Sequence, residues 1–342
     1  MRIWIDLANS PHILFFKPII SELERQGNIV YVTHRDFAQT TKLCGIYGID
    51  SKCIGSHAGQ GIAKKVFNIL NRAIKLFAYA KGKRIDLAVS HNSYAHCIAS
   101  EMIRTRYITL MDYEYQPANH INFRLADRIL VPFTFDVEEI KKYGATNRKV
   151  IKYPGLKEEV YLWGFIRDGR FWQSEFPDLD SNKIMCTIRP PATMAAYHDF
   201  ENPIFYDLIK YLLKMTNIQT VMFPRTPAQR EKLKNVFPKL YMPQQSVNGA
   251  QLIANSDLII SAGGTMNREA SVLNTPAYSV YAGEIGSVDK YLIKENKITL
   301  INCKDDFQKI LFQKKTQGDI KVKRKVFDFI IEQILRDANI HR

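Results

Sequence analysis

Nothing in this 342-residue sequence is long and apolar enough to cross a bilayer. Its apolar stretches, such as 258–262 and 277–281, run for about five residues, against the roughly twenty that a spanning helix needs. The start, MRIWIDLANS, opens directly on a strand-like run without the basic, apolar and small-residue sections of a secretory signal. The expectation is therefore a cytoplasmic protein, with room for peripheral contact at the inner membrane face. Cysteines are few. The five, Cys44, Cys53, Cys97, Cys186 and Cys303, lie far apart, form no CxxC pair and have no histidine at metal-ligand spacing. A disulfide framework and a structural zinc are both excluded as expectations. The phosphate-binding Walker A pattern is missing, as is the spaced-glycine dinucleotide fingerprint.

What is abundant is positive charge. Lys and Arg number 48 against 34 Asp and Glu, a formal net charge of +14. Such a balance steers a protein toward nucleic acid, an anionic membrane face or a phosphorylated substrate. The cations are spread out, with small clusters at Lys81 to Arg84, Lys141 to Lys142 and Lys321 to Lys325. No nucleic-acid-binding module accompanies them, so no specific nucleic-acid partner is expected. The 321–325 cluster reads as a solvated helix start or as a membrane or polyanion contact.

Short apolar runs alternate with amphipathic stretches, the pattern of a parallel sheet covered by helices. In the first half the spacing predicts strands at 3–7, 29–33, 87–90, 108–111 and 128–131, with helices near 13–25, 63–80, 95–103 and 137–143. A mixed stretch rich in aromatic and charged residues follows Pro154 and Gly155. A second series then predicts strands at 184–188, 219–223, 240–242, 258–261, 277–281 and 298–301, with helices near 203–213, 228–235, 249–255, 266–273 and 288–295. The expected organisation is a Rossmann-like domain at 1–155, a connection at 156–180, a second Rossmann-like domain at 181–320, and a C-terminal helix within 321–342 returning toward the first domain.

Ligands of open α/β sheets bind beyond the carboxyl ends of the strands, so polar residues just after a strand are the first candidates. Ser261-Ala262-Gly263-Gly264-Thr265-Met266-Asn267-Arg268-Glu269 follows a strand and opens a helix. Its glycines permit close backbone approach, and the amides of the helix start can hold a phosphate. Glu269, one turn on, can accept hydrogen bonds from vicinal hydroxyls such as those of a ribose. A Gly-Gly turn with Thr265 as N-cap explains the same residues without a ligand. Arg189, before Pro190-Pro191-Ala192-Thr193 and with His198 further on, and Arg225, in Phe223-Pro224-Arg225-Thr226, can each meet phosphate oxygens with a guanidinium fork, or serve as surface cations beside proline turns. After the first strand, Asn9-Ser10-Pro11-His12 follows Asp6; Ser10 suits an N-cap and Pro11 a first helical residue. His12 would sit in a first helical turn, where the neutral form needed by a general base is favoured. Ser90-His91-Asn92-Ser93 and Asp112-Tyr113-Glu114-Tyr115 put a histidine and two carboxylates at the ends of two further strands, where they can orient hydroxyls or move a proton. Capping accounts equally for Asn92 and Ser93.

IDLANSPHILFFKPI together with SAGGTMNREASVLNTPA resembles a family of bacterial and archaeal proteins built on a domain of unknown function, GT-B-like over essentially the whole length. More distantly, ANSDLIISAGGTMNREASVLNTPAYSV looks like the nucleotide-sugar segment of the N-acetylglucosaminyltransferase that makes lipid II and of UDP-N-acetylglucosamine 2-epimerase. The resemblance implies an α/β, GT-B-like fold: two doubly wound Rossmann-like domains facing a central cleft, with the C-terminal helix packing back across the junction. It implies that Gly263, Gly264 and Thr265 contact the diphosphate and Glu269 the ribose, with Ser261, Met266 and Arg268 beside them and Arg189 in the place of a basic motif. The glycine-rich acceptor loop of the lipid II enzyme is replaced by Asn9-Ser10-Pro11-His12, and the acidic pair of the epimerases is here Arg268-Glu269.

Three readings follow. The first is a metal-independent glycosyltransferase of glycan or polysaccharide biosynthesis, taking a nucleotide-sugar such as a UDP-sugar as substrate and needing no cofactor. Its acceptor would be a sugar, lipid-linked or phosphorylated molecule, and its acid–base candidates are His12, Asp112, Glu114 and His91. The second is a nucleotide-sugar 2-epimerase or hydrolase. The third is a sugar-nucleotide or polyanion binding protein without catalysis.

Overall fold

In a computed structural model, residues 1–37, 39–56, 62–116, 119–191, 203–245, 247–316 and 318–339 are described. Ala192, Thr193 and His198 of the Arg189 segment lie outside them. The chain divides into two compact units: residues 1–163 with 286–288 and 323–342, and residues 164–285 with 289–322.

In chain order the first unit runs β1 (Arg2–Leu7), α1 (Ser10–Arg25), β2 (Ile29–Asp36), α2 (Thr40–Ile46), β3 (Lys52–Ser56), α3 (Ile62–Ala80), β4 (Leu87–His91), α4 (Tyr94–Met102), β5 (Arg106–Leu110), α5 (Asn119–Leu125), β6 (Arg128–Pro132), α6 (Val137–Lys141), β7 (Val150–Tyr153) and α7 (Glu159–Leu162). The second runs α8 (Phe171–Glu175), β8 (Ile184–Arg189), α9 (Pro203–Leu212), β9 (Ile218–Met222), α10 (Pro227–Val236), α11 (Gly249–Asn255), β10 (Leu258–Ser261), α12 (Gly264–Val272), β11 (Ala277–Ser279), α13 (Ser287–Lys294) and β12 (Ile298–Leu300); α13 begins in the segment 286–288. The C-terminal helix α14 (Lys325–Ala338) belongs to the first unit.

Both sheets are parallel. The seven-stranded sheet has the order β3-β2-β1-β4-β5-β6-β7 and the five-stranded sheet the order β12-β11-β10-β8-β9. Strands such as β1, β4 and β10 are buried along their length, as continuous apolar runs in a parallel sheet should be. In the first unit, Ile13, Phe16, Ile19 and Leu23 of α1 share a core with Ile3 and Ile5 of β1 and with Phe327, Ile330 and Ile334 of α14. Each such side chain, fully buried, contributes about 1.5–3 kcal/mol. The second unit has one core around Cys186, Ile188, Leu258 and Ile260 and another around Phe171, Trp172 and Phe223.

To the expected elements of the first unit the structure adds α2, β3, α5 and β7. The edge strand β3 and its partner helix α2 escape notice because β3 (KCIGS) exposes most of its residues and has no apolar run. β7 (VIKY) pairs with β6 as the other edge. The expected strand 240–242 is reduced to one bridge between Val221 and Tyr241, since Pro238 and Pro243 bracket it and leave no ladder to extend.

Candidate functional site

The strand order of the seven-stranded sheet reverses between β1 and β4, which makes the carboxyl ends of these two strands the natural ligand position of that sheet. Asn9 is the N-cap of α1, so Ser10 and Pro11 are the first two helical residues and the helix begins one residue earlier than the sequence suggests. Asn9 Oδ1 accepts from Arg35 Nη2 at 3.1 Å, and Ser10 Oγ accepts from the Gln39 amide at 3.3 Å. His12, in the first turn, is buried, and its ring lies 4.9 Å from that of His91 at the end of β4. Its Nδ1 has no hydrogen-bond partner among the described residues. Burial, then the charges of His91 and Lys157, hold its pKa well below the usual histidine value, outweighing Asp112 and Asp6. His12 is therefore a neutral, buried imidazole at physiological pH, the state a general base requires.

His91 Nε2 lies 3.4 Å from Asp112 Oδ1, just beyond β5, while the Lys157 ammonium donates to Asp112 Oδ2. Glu158 Oε1 is 3.8 Å from the same ammonium. All four residues are buried. Lys157 and Glu158 were not anticipated; the signal for them is a charged pair in the apolar and aromatic stretch Tyr153 to Trp163, just after β7.

Other candidates of this unit are engaged elsewhere. Glu114 is buried, and its Oε1 accepts from the Ser287 amide at 2.7 Å and from the Ser287 hydroxyl. It secures the segment 286–288, which belongs to this unit. Ser93 is the N-cap of α4 but caps nothing with its side chain, because its hydroxyl donates to Asp6 Oδ2 at 2.6 Å. Asn92 takes the left-handed conformation, φ 52°, that asparagine tolerates, and bonds Gln116 and Asn119. Asp6 receives Arg72 through both oxygens, at 2.7 and 3.0 Å, together with Thr33 and Ser93. Burial alone would raise its pKa; the Arg72 and His96 charges and the hydrogen bonds prevail and hold it well below the carboxylate range. Asp6 is a structural centre of the unit.

In the five-stranded sheet the order reverses between β8 and β10, whose last residues, Arg189 and Ser261, are register partners. Arg189 Nη1 donates to the Phe223 carbonyl at 2.9 Å, and Arg225 Nε to the Pro190 carbonyl at 2.9 Å. Burial, then the nearby Arg189 charge, lowers the pKa of Arg225 to about 10, so its guanidinium stays charged at neutral pH. Burial likewise lowers Arg189, against the pull of Glu269. Gly263 is the N-cap of α12 and offers no side-chain cap, so Thr265 is the second helical residue and not the N-cap. The leading amides of α12 thus point out of an uncapped end, with Arg225 beside it: a Cβ on Gly263 would come 2.7 Å from Arg225 Nη2. Ser261 Oγ accepts from the Gly263 amide at 3.1 Å and shapes this turn. Met266 packs on the Phe171 and Trp172 core. Arg268 is buried and donates through Nε and Nη2, each at 2.8 Å, to the Asp289 carboxylate. Glu269, the next residue, is half-buried.

The second unit therefore offers what a diphosphate needs, two cations and a helix N-terminus at a switch point. The first offers a neutral imidazole beside an ion-paired carboxylate. Among the described residues no group of three His, Cys, Asp or Glu is arranged to hold a metal ion.

The structure is similar to that of the Neisseria meningitidis UDP-GlcNAc 2-epimerase, solved bound to UDP-GlcNAc, with a TM-score of 0.76 and 13% identity over 98% of this chain and 100% of that one. Against Acinetobacter baumannii MurG the TM-score is 0.59, with 13% identity over 98% and 100% of the two chains. At such identity the likeness is one of fold, and the fold is α/β and GT-B-like. In sequence, an uncharacterised protein of Methanocaldococcus jannaschii is 30% identical over 307 residues, 88% of each chain. Residues 1–339 match the family described as Protein of unknown function (DUF354), and the chain belongs to that family.

Proposed function

We propose that the protein is a metal-independent glycosyltransferase that takes a nucleotide-diphosphate sugar, in glycan or polysaccharide biosynthesis. The observation that carries this reading is the pairing of Arg189 and Arg225 with the uncapped start of α12 around Gly263, at the point where the strand order of the second unit reverses. That the fold is shared with an enzyme solved with UDP-GlcNAc makes a UDP-sugar the first donor to try. In the reaction an acceptor hydroxyl oxygen forms a bond to the anomeric carbon while the bond from that carbon to the diphosphate breaks. The electron pair leaves with the nucleoside diphosphate, whose charge Arg189, Arg225 and the α12 amides stabilise. In the first unit His12 is the candidate base for a hydroxyl proton, with the His91 ring beside it and Asp112 beside His91. Glu269 accepts from the ribose hydroxyls. The acceptor class is a sugar, lipid-linked or phosphorylated molecule.

A second reading, a UDP-sugar 2-epimerase, is favoured by the similarity to epimerase structures and by the presence of two imidazoles and a carboxylate in one cluster. Against it stands Arg268, committed to Asp289 where the epimerase motif is acidic.

Thermal stabilisation by UDP-, GDP-, dTDP- and CMP-sugars tests both, on the wild type and on Glu269→Ala, with and without a chelator. A ligand at a hundredfold excess over its Kd adds about 2.7 kcal/mol to the folded state. The expected result is a shift with one nucleotide class, indifferent to chelator and lost in Glu269→Ala. No shift in the folded wild type sinks the nucleotide-sugar reading. Product analysis then separates the two chemistries: an epimerase converts the nucleotide-sugar alone, whereas a transferase releases nucleoside diphosphate in step with glycosylated acceptor.

A further inference from the structure

Between Asp50 and Asp86 the sequence has no acidic residue and eight lysines and arginines. Most of this stretch is α3. One side of the helix is fully used: Ala73, Leu76 and Ala80 are buried, and Arg72 is taken up by Asp6. A second apolar stripe has no cover among the described residues. Val66 is 51% exposed, Phe67 68%, Leu70 49% and Ile74 58%. Val66, Leu70 and Ile74 follow at i, i+4 and i+8, and Phe67 precedes Leu70 by three residues and Ile74 by seven, so all four share one face. Lys64 and Lys75, both exposed, are eleven residues apart, about three turns, and therefore fall together along one margin of that face. Lys81 and Arg84 are exposed beyond its C-terminal end.

We infer that this stripe seats α3 on the surface of an anionic lipid bilayer. Phe67, Leu70, Ile74 and Val66 enter the boundary between headgroups and acyl chains, and Lys64, Lys75, Lys81 and Arg84 meet the lipid phosphates. The helix lies on the membrane, since no helix among the described residues is long and apolar enough to cross one. Charge selects the bilayer over a second copy of the chain: two copies joined through this stripe would bring their lysine margins together with no carboxylate on either helix to answer them. The other basic cluster is not equivalent. Arg324 is paired with Glu22 and Asp328 and lies over the Trp163 and Phe327 rings, and Lys321 is paired with Asp319. None of the stripe residues belongs to either candidate site, so this surface stands apart from the nucleotide-sugar reading.

Flotation with lipid vesicles tests it, using phosphatidylcholine alone and equal parts phosphatidylcholine and phosphatidylglycerol. The wild type should float with the mixed vesicles and not with the neutral ones, and high salt should release it. Phe67→Ser with Leu70→Ser, and separately Lys64→Glu with Lys75→Glu, should each weaken binding by at least about tenfold. These four side chains are exposed, so both variants should keep the wild-type circular dichroism and Tm. Lys321→Glu with Lys323→Glu should bind as the wild type does. Failure of the wild type to float with mixed vesicles overturns the inference, as does full retention of binding in either α3 variant. A wild-type dimer that falls to monomer in Phe67→Ser with Leu70→Ser would assign the stripe to a second copy and overturn it as well.

Discussion

The His12 and His91 rings lie 4.9 Å apart, and His91 Nε2 is 3.4 Å from a carboxylate, Asp112, that also holds the buried ammonium of Lys157. The single negative charge of Asp112 thus serves two neighbours. Burial first, and then the charges of His91 and Lys157, work against protonation of His12.

The acid limb of activity should therefore lie well below the ordinary histidine value near 6.5. A base acts only when deprotonated, so the rate falls as pH drops through the depressed His12 pKa and is level above it. Removing a cation from the cluster, Lys157→Met, should move that limb to higher pH. A pH series of kcat/KM, with the His12 ring followed by NMR, makes the comparison. His12 titrating at or above the ordinary value in the wild type would rule it out as the neutral base described here.

Asp6 and Arg72 form a buried ion pair whose loss should be felt in stability. Asp6→Asn removes the charge that answers Arg72, and breaking such a pair costs about 3–5 kcal/mol. The folded-state pKa of Asp6 is depressed, so its contribution is complete above the unfolded value near 3.8 and is lost as pH falls toward the lower folded one. The gap between wild type and Asp6→Asn in urea unfolding should be widest near neutral pH and narrow in strong acid. An equal gap at both would show that the charge of Asp6 is not what the site uses.

The alternation of apolar runs and helical stretches was enough to read the two-sheet α/β plan, because a parallel sheet buries its strands on both faces and writes them as continuous apolar segments. Edge strand β3, polar and half-exposed, carries no such mark, and neither does a segment like Leu240 to Met242 that looks strand-like but is closed off by prolines. At the candidate sites, positions after strand ends could be read, and His12, His91, Arg189 and Gly263 do lie at the two strand-order reversals, with Asp112 one strand further on, after β5. What each side chain is bonded to could not. Glu114, Ser93 and Arg268 have partners far away in sequence, Ser287, Asp6 and Asp289, and Lys157 comes to Asp112 from 45 residues away.

Gly263→Ala isolates the contribution of the α12 start. The glycine has φ −150°, extended backbone that alanine adopts freely, so the fold should be unchanged within about 0.5 kcal/mol. The new Cβ would press on Arg225 Nη2, which must swing away. Affinity for the nucleotide-sugar should fall about tenfold, roughly 1.4 kcal/mol, by isothermal titration. Unaltered affinity would mean that Arg225 does not touch the ligand from this position.

Arg268 and Glu269 are adjacent in sequence but are expected to behave differently. The Arg268 guanidinium meets Asp289 through two bonds of 2.8 Å, and both side chains are largely shielded from water, so the pair acts as a clamp between α12 and α13. Asp289→Ala should cost about 3–5 kcal/mol by removing the carboxylate that meets the buried Arg268 guanidinium. Nucleotide-sugar affinity, measured where the variant is still folded, should change little. Glu269→Ala should do the reverse, leaving Tm near the wild-type value and removing ligand-induced stabilisation. If Asp289→Ala instead abolished binding at full stability, Arg268 would be a ligand contact in its own right, and the division of labour between these two neighbours would have to be drawn the other way.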